Sequence, residues 1–223
     1  MSVRRAICHA ALAVFACALM PAGASAQSAI APVQGAPILP RDVVPAQATR
    51  NTRNNLNTDA QIYLLRGLAN VFSRGMDELA AKLTADGFSP VLINHRGWQN
   101  AADTIAQNYR AGRTAPIILI GHSLGANNAY RIARRLNGKG IPVAYLATFD
   151  PTNSFTVPNN VRYFVNFYQN NGVGRRASYA ASRTKQKVNL NLTSSPGLNH
   201  RNIDQSRRLQ DIVMARIRQV TAR

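Results

Sequence analysis

Cysteine is nearly missing from this chain, and the two residues present, Cys8 and Cys17, both fall within the first 26 positions. The remainder therefore has no disulfide, no thiol nucleophile and no Cys-ligated metal, and its stability has to come from a packed core. Acid is the second shortage. Eight Asp and a single Glu, Glu78, stand against 27 Lys and Arg, for a formal charge of +18 at pH 7. There is one tryptophan, Trp98. The basic residues are scattered through 131–139, 175–187 and 201–223 without the interleaved aromatics of a nucleic-acid platform, which argues against specific nucleic-acid binding. Such a charge still draws a protein electrostatically to anionic surfaces, an acidic membrane among them.

Long apolar runs are also missing, except at the start. Arg4 and Arg5 precede an apolar stretch over 6–20, and Ala24-Ser25-Ala26 follows as a small-residue cleavage site, the pattern of an export signal removed after Ala26. The stretch is short for a membrane span and Pro21 interrupts it. A periplasmic or secreted protein of about +16 charge is expected. Residues 27–58, rich in Ala, Pro, Gln, Asn and Thr with little apolar periodicity, read as an extended or disordered lead-in.

From 59 to 223 strand and helix patterns alternate. Strands are predicted at 62–65, 91–94, 117–120, 143–149 and 161–168. Helices are predicted around Met76, Leu79, Ala80 and Leu83 with Gly87 as the stop, over 100–111, over 124–136 and over 204–220. This order implies one α/β domain, doubly wound, with a mostly parallel sheet and helices on both faces. Its ligand site belongs at the carboxyl ends of the strands.

At one such end stands Gly121-His122-Ser123-Leu124-Gly125. A serine forced into a sharp strand-to-helix turn needs neighbours without bulk, and the helix N-terminus behind it favours developing negative charge. A serine hydroxyl is too weak an acid to attack unaided and requires a base, which in turn requires an orienting carboxylate. Of four histidines only His200 follows Ser123. Asp150, ending the strand 143–149 and fixed by Pro151, is the candidate carboxylate. Asp204 competes with it but reads better as a helix cap. Two backbone amides are needed for an oxyanion, one from Leu124 and one, Leu68, from the loop Arg66-Gly67-Leu68. Arg66, Gly67, His122, His95 and Trp98 are candidates to line the substrate. His95, His122 and His200 are dispersed without metal-ligand spacing, so neither metal nor other cofactor is expected.

Leu64-Leu65-Arg66-Gly67, the Gly-His-Ser-Leu-Gly pentapeptide, Phe149-Asp150-Pro151 and Asn199-His200 together resemble the α/β-hydrolase superfamily, its lipase and thioesterase side in particular. An acid followed by Pro on the strand after the nucleophile helix is similar to the pancreatic-lipase arrangement. The resemblance implies an esterase acting on a small-molecule or lipid ester through an acyl-enzyme, with thioester cleavage as an alternative. Arg66 departs from many relatives, which carry His or another residue before the oxyanion glycine. The short connection after Asp150 leaves no room for a large lid. A different class remains open: a non-catalytic basic envelope protein holding anionic lipid or polymer.

Overall fold

The computed structural model describes residues 55–68, 73–179 and 184–223. The export signal, its cleavage after Ala26 and most of the lead-in lie outside the described residues. Among the described residues the elements run β1 (Gln61–Leu65), α1 (Arg74–Ala85), β2 (Val91–Ile93), α2 (Trp98–Arg110), β3 (Ile117–His122), α3 (Leu124–Asn137), β4 (Val143–Phe149), β5 (Thr156–Val157), β6 (Val161–Tyr168), β7 (Ser178–Tyr179), β8 (Gln186–Asn191) and α4 (Arg207–Thr221). Short 3-10 turns cover His95–Gly97 and Ile203–Gln205.

The main sheet has the order β2-β1-β3-β4-β6-β8, and every pairing in it is parallel. The chain steps outward from β1 to β2, returns past β1 to β3, and then continues in one direction to β8. Because parallel crossovers are right-handed, that reversal decides the faces. Helix α1 lies on one side with the later α4, whose Leu209, Ile212 and Val213 pack with Met76, Leu79, Ile62, Leu64 and Ile118. Helices α2 and α3 lie on the other, where Ile105, Ile132 and Leu136 meet Tyr63, Leu65 and Leu119. Alternate side chains of β1 and β3 thus serve opposite cores, and both strands are buried throughout. That is why they read as unbroken apolar runs. The reversal between β1 and β3 opens the crevice where a doubly wound sheet holds its ligand.

Three expectations are corrected. The lead-in does not extend to 58, because Leu56 is buried in the core, bridges to Ala222, and is followed by an Asn57 N–H to Thr221 carbonyl bond of 2.6 Å. A lone Leu in a polar stretch leaves no periodicity to find. Helix α4 begins at Arg207, not Asp204, with Ser206 at its N-cap and Asp204 in the preceding 3-10 turn. Strand β8 stands where the pattern predicts none. Its sequence, Gln-Lys-Val-Asn-Leu-Asn, is polar because it is an edge strand, with Val188 and Leu190 alone turned onto the core. The connections after β4 and β6 hold the two-residue strands β5 and β7, paired with each other.

Candidate active site

Strand β3 ends at His122 and α3 starts at Leu124, so Ser123 must make the whole turn by itself. Its backbone sits at φ 57 and ψ −123, a conformation that residues with side chains rarely adopt. Neighbouring strands hold it there. The Ser123 N–H donates to the Phe149 carbonyl at 2.9 Å, and its own carbonyl accepts from Asn127 N–H at 3.2 Å. The flanking glycines are sterically required. A Cβ on Gly125 would lie 2.1 Å from the Leu65 carbonyl oxygen, and one on Gly121 would lie 2.5 Å from the Gly125 oxygen.

Asp150, directly after β4, also has a positive φ, of 48. The Asn127 side chain braces this turn by accepting from the Thr152 and Asn153 amides. The carboxylate is buried, and its Oδ1 accepts from the Gln169 amide at 2.7 Å. Its Oδ2 lies 3.0 Å from His200 Nδ1, and His200 Nε2 lies 3.0 Å from Ser123 Oγ. A carboxylate on Nδ1 fixes the tautomer that leaves Nε2 free to take the serine proton, so the arrangement can move a proton off that hydroxyl. Gln169 steadies the histidine loop as well, its side-chain Nε2 donating to the carbonyls of Leu192 and Leu198. Gly174 packs so closely that a Cβ there would overlap Asp150 Oδ1.

The structure corrects His122, which does not line a substrate space. Its side chain is 1% exposed and both ring nitrogens are occupied, Nδ1 by Ser73 Oγ at 3.0 Å and Nε2 by the His200 carbonyl at 2.7 Å. Burial is the main reason its pKa falls to about 4, with the nearby His200 ring adding to the effect. Behind it lies Asp204, fully buried, with Oδ2 3.8 Å from His122 Nδ1 and neither carboxyl oxygen in a hydrogen bond. Burial raises this carboxyl to about 7, and Glu78 pushes the same way. Asp204 is therefore neither the carboxylate that faces His200 nor a cap of α4.

On the other side of Ser123, Gly67 is close enough that a Cβ would meet Ser123 Cβ at 3.1 Å. The Gly67 amide is committed to Ser73 Oγ at 2.8 Å, and Leu68 follows with its side chain exposed. Arg66 is turned onto α1, where it pairs with Asp77. Trp98 and His95 follow β2, two strands from β3; Trp98 packs on the α2–α3 core under Arg131 and the His95 carbonyl accepts from Asn128.

Ser73, Asn127, Gln169 and Gly174 were not found from the chain alone. Gln169 carried a usable signal, a polar residue at the carboxyl end of an apolar strand of the same sheet. Among the described residues no three His, Cys, Asp or Glu side chains cluster as a metal site, and no helix is long and apolar enough to cross a membrane.

A thioesterase-domain family model matches residues 77–163, which include Ser123 and Asp150 and stop short of His200. Among solved structures, a protein described as a hydrolase of the alpha/beta superfamily from Xanthomonas campestris pv. campestris is 14% identical and covers 72% of this chain and 97% of that chain. Its TM-score of 0.37 is too loose a likeness to bear on the fold. No curated protein matches the chain. The doubly wound parallel sheet places Ser123 in a strand-to-helix elbow, and over its central stretch the chain is similar to thioesterase domains.

Proposed function

We propose that this protein is an exported serine esterase in which Ser123, His200 and Asp150 form the catalytic triad. The observation that carries the reading is the unbroken line Asp150–His200–Ser123, with both contacts at 3.0 Å, starting from a serine held in a strained turn. His200 Nε2 takes the Ser123 proton as Oγ bonds to the ester carbonyl carbon. The resulting oxyanion is held by the amides of Leu124 and Leu68. Collapse expels the alcohol, which leaves with the proton from His200, and water then repeats the sequence on the acyl-enzyme.

Carboxylic esters are the substrates favoured by this reading, since the leader in residues 1–26 directs the chain away from cytoplasmic coenzyme A thioesters. The thioesterase-domain match supports a second reading, a thioesterase using the same residues. The positive charge supports recruitment to anionic membrane surfaces, where lipid esters reside.

A fluorophosphonate probe is expected to label the wild-type protein, and Ser123→Ala to abolish both labelling and turnover of p-nitrophenyl esters. Equal labelling of wild type and variant would remove Ser123 from the mechanism. Paired assays with an oxygen ester and its thioester analogue separate the two substrate classes.

A further inference from the structure

Ser73 stands at the N-cap of α1, where a serine hydroxyl ordinarily accepts from the helix's own first amides, yet it makes no such bond. The side chain is fully buried and turned the other way, accepting from the Gly67 amide at 2.8 Å and lying 3.0 Å from His122 Nδ1. The polarity of these contacts is forced. The His200 carbonyl can only accept, so His122 must donate from Nε2. In the neutral ring Nδ1 is then an acceptor, and the Ser73 O–H donates to it. A single directed path results: Gly67 N–H to Ser73 Oγ, Ser73 O–H to His122 Nδ1, His122 Nε2–H to the His200 carbonyl.

We infer that Ser73 and His122 are positioning residues that tie the loop after β1 to the loop carrying His200. The path joins the backbone beside the Leu68 amide to the backbone of the catalytic base, through the residue before Ser123. Neither loop can drift without stretching one of these hydrogen bonds. The device rests on the serine-hydrolase reading. Burial keeps the His122 ring neutral down to about pH 4, so its acceptor persists above that pH. Asp204 packs on the first turn of α1 so tightly that a Cβ on Gly75 would meet its Cγ at 2.7 Å.

The test compares wild type, Ser73→Ala and Ser73→Thr, counting active sites with a fluorophosphonate so that misfolded protein does not enter kcat. With p-nitrophenyl butyrate, Ser73→Ala is expected to lose about 10- to 100-fold in kcat while KM moves less than about threefold. Affinity for an alkyl trifluoromethyl ketone, whose adduct carries the oxyanion, should fall by a similar factor. Ser73→Thr, keeping the hydroxyl, should recover most of both. Full kcat in Ser73→Ala, or a kcat loss without loss of ketone affinity, overturns the inference. The second measurement needs no variant. Histidine 15N NMR of the wild type at pH 6 should find His122 neutral and protonated at Nε2, and a ring protonated at Nδ1 overturns the path even if Ser73→Ala does not fold. Absence of turnover and ketone binding in wild type, with the Nε2–H tautomer present, would instead reject the hydrolase reading and leave the tie between the loops standing.

Discussion

Ser123, His200 and Asp150 could be found from the chain because each has a local mark: two glycines around a serine, a single downstream histidine, a carboxylate at a strand end before proline. Ser73 and His122 have no such mark for what they do, since the direction of a hydrogen bond between residues 49 positions apart exists only in the folded chain. The same holds for Asp204, whose neighbours are the Gly75 and Met76 amides of α1, Glu78 and His122. His122 and Asp204 make opposite demands on stability. Asp204 keeps its proton to about pH 7 in the fold but releases it near 3.8 when unfolded, so stability declines as pH rises through that window. His122 stays neutral to about 4 in the fold while the unfolded ring takes a proton below 6.5, so stability declines as pH falls through that one. From about 4 to 6.5 the two slopes oppose each other. Asp204→Asn removes only the first of them, at about 1.4 kcal/mol per pH unit. Its stability relative to wild type, from urea denaturation, is expected to be a few kcal/mol better at pH 7.5 than at pH 4.5. A difference that stays constant across this range would contradict a proton held on Asp204.

Elements were legible in proportion to their burial. Strands β1, β3 and β4, buried almost throughout, announce themselves as apolar runs, and β6 by its alternating β-type residues. Edge strand β8, half-exposed, has to be polar, and its lysine and asparagines hid it within a basic stretch. Helix α4 was placed three residues early because Asp204 resembles a cap by residue type, while its burial assigns it to the turn before. Helix α3 offers a test of how closely an element must fit its neighbours. At its first turn Gly125 lies against the Leu65 carbonyl, with no room for a methyl group, so Gly125→Ala has to move α3 away from β1 and disturb Ser123. At its other end Gly138 has φ −63, and a Cβ there meets nothing nearer than 3.6 Å. Gly125→Ala is expected to lose more than about 3 kcal/mol in chemical denaturation, together with probe labelling. Gly138→Ala should be neutral or stabilising by about 0.5 kcal/mol. Comparable stability of the two variants would mean that the close approach of α3 to β1 does not constrain the elbow.

Across the whole molecule, alternating patterns were enough to imply a doubly wound sheet, and the right-handed crossover rule then accounts for α1 lying opposite α2 and α3. Charge was also readable, but its disposition was not. Among the described residues Asp59, Asp77, Asp86, Asp103 and Asp211 are paired with Arg223, Arg66, Arg218, Arg135 and Lys82. Asp150 and Asp204 are buried beside histidines. The few acids are thus largely taken up, and the balance of 27 Lys and Arg leaves the surface strongly positive. Such a surface attracts anionic bilayers over a screening length of about 30 Å at about 0.01 M salt, shrinking to about 3 Å at about 1 M. Purified protein is expected to co-sediment with phosphatidylglycerol-containing vesicles at the lower salt, to leave them at the higher, and to ignore vesicles of phosphatidylcholine alone. Ser123→Ala should bind equally well, because the attraction belongs to the surface and not to the chemistry. Binding that persists at high salt, or that follows the serine, would transfer the interaction from the charge of the whole molecule to the substrate site.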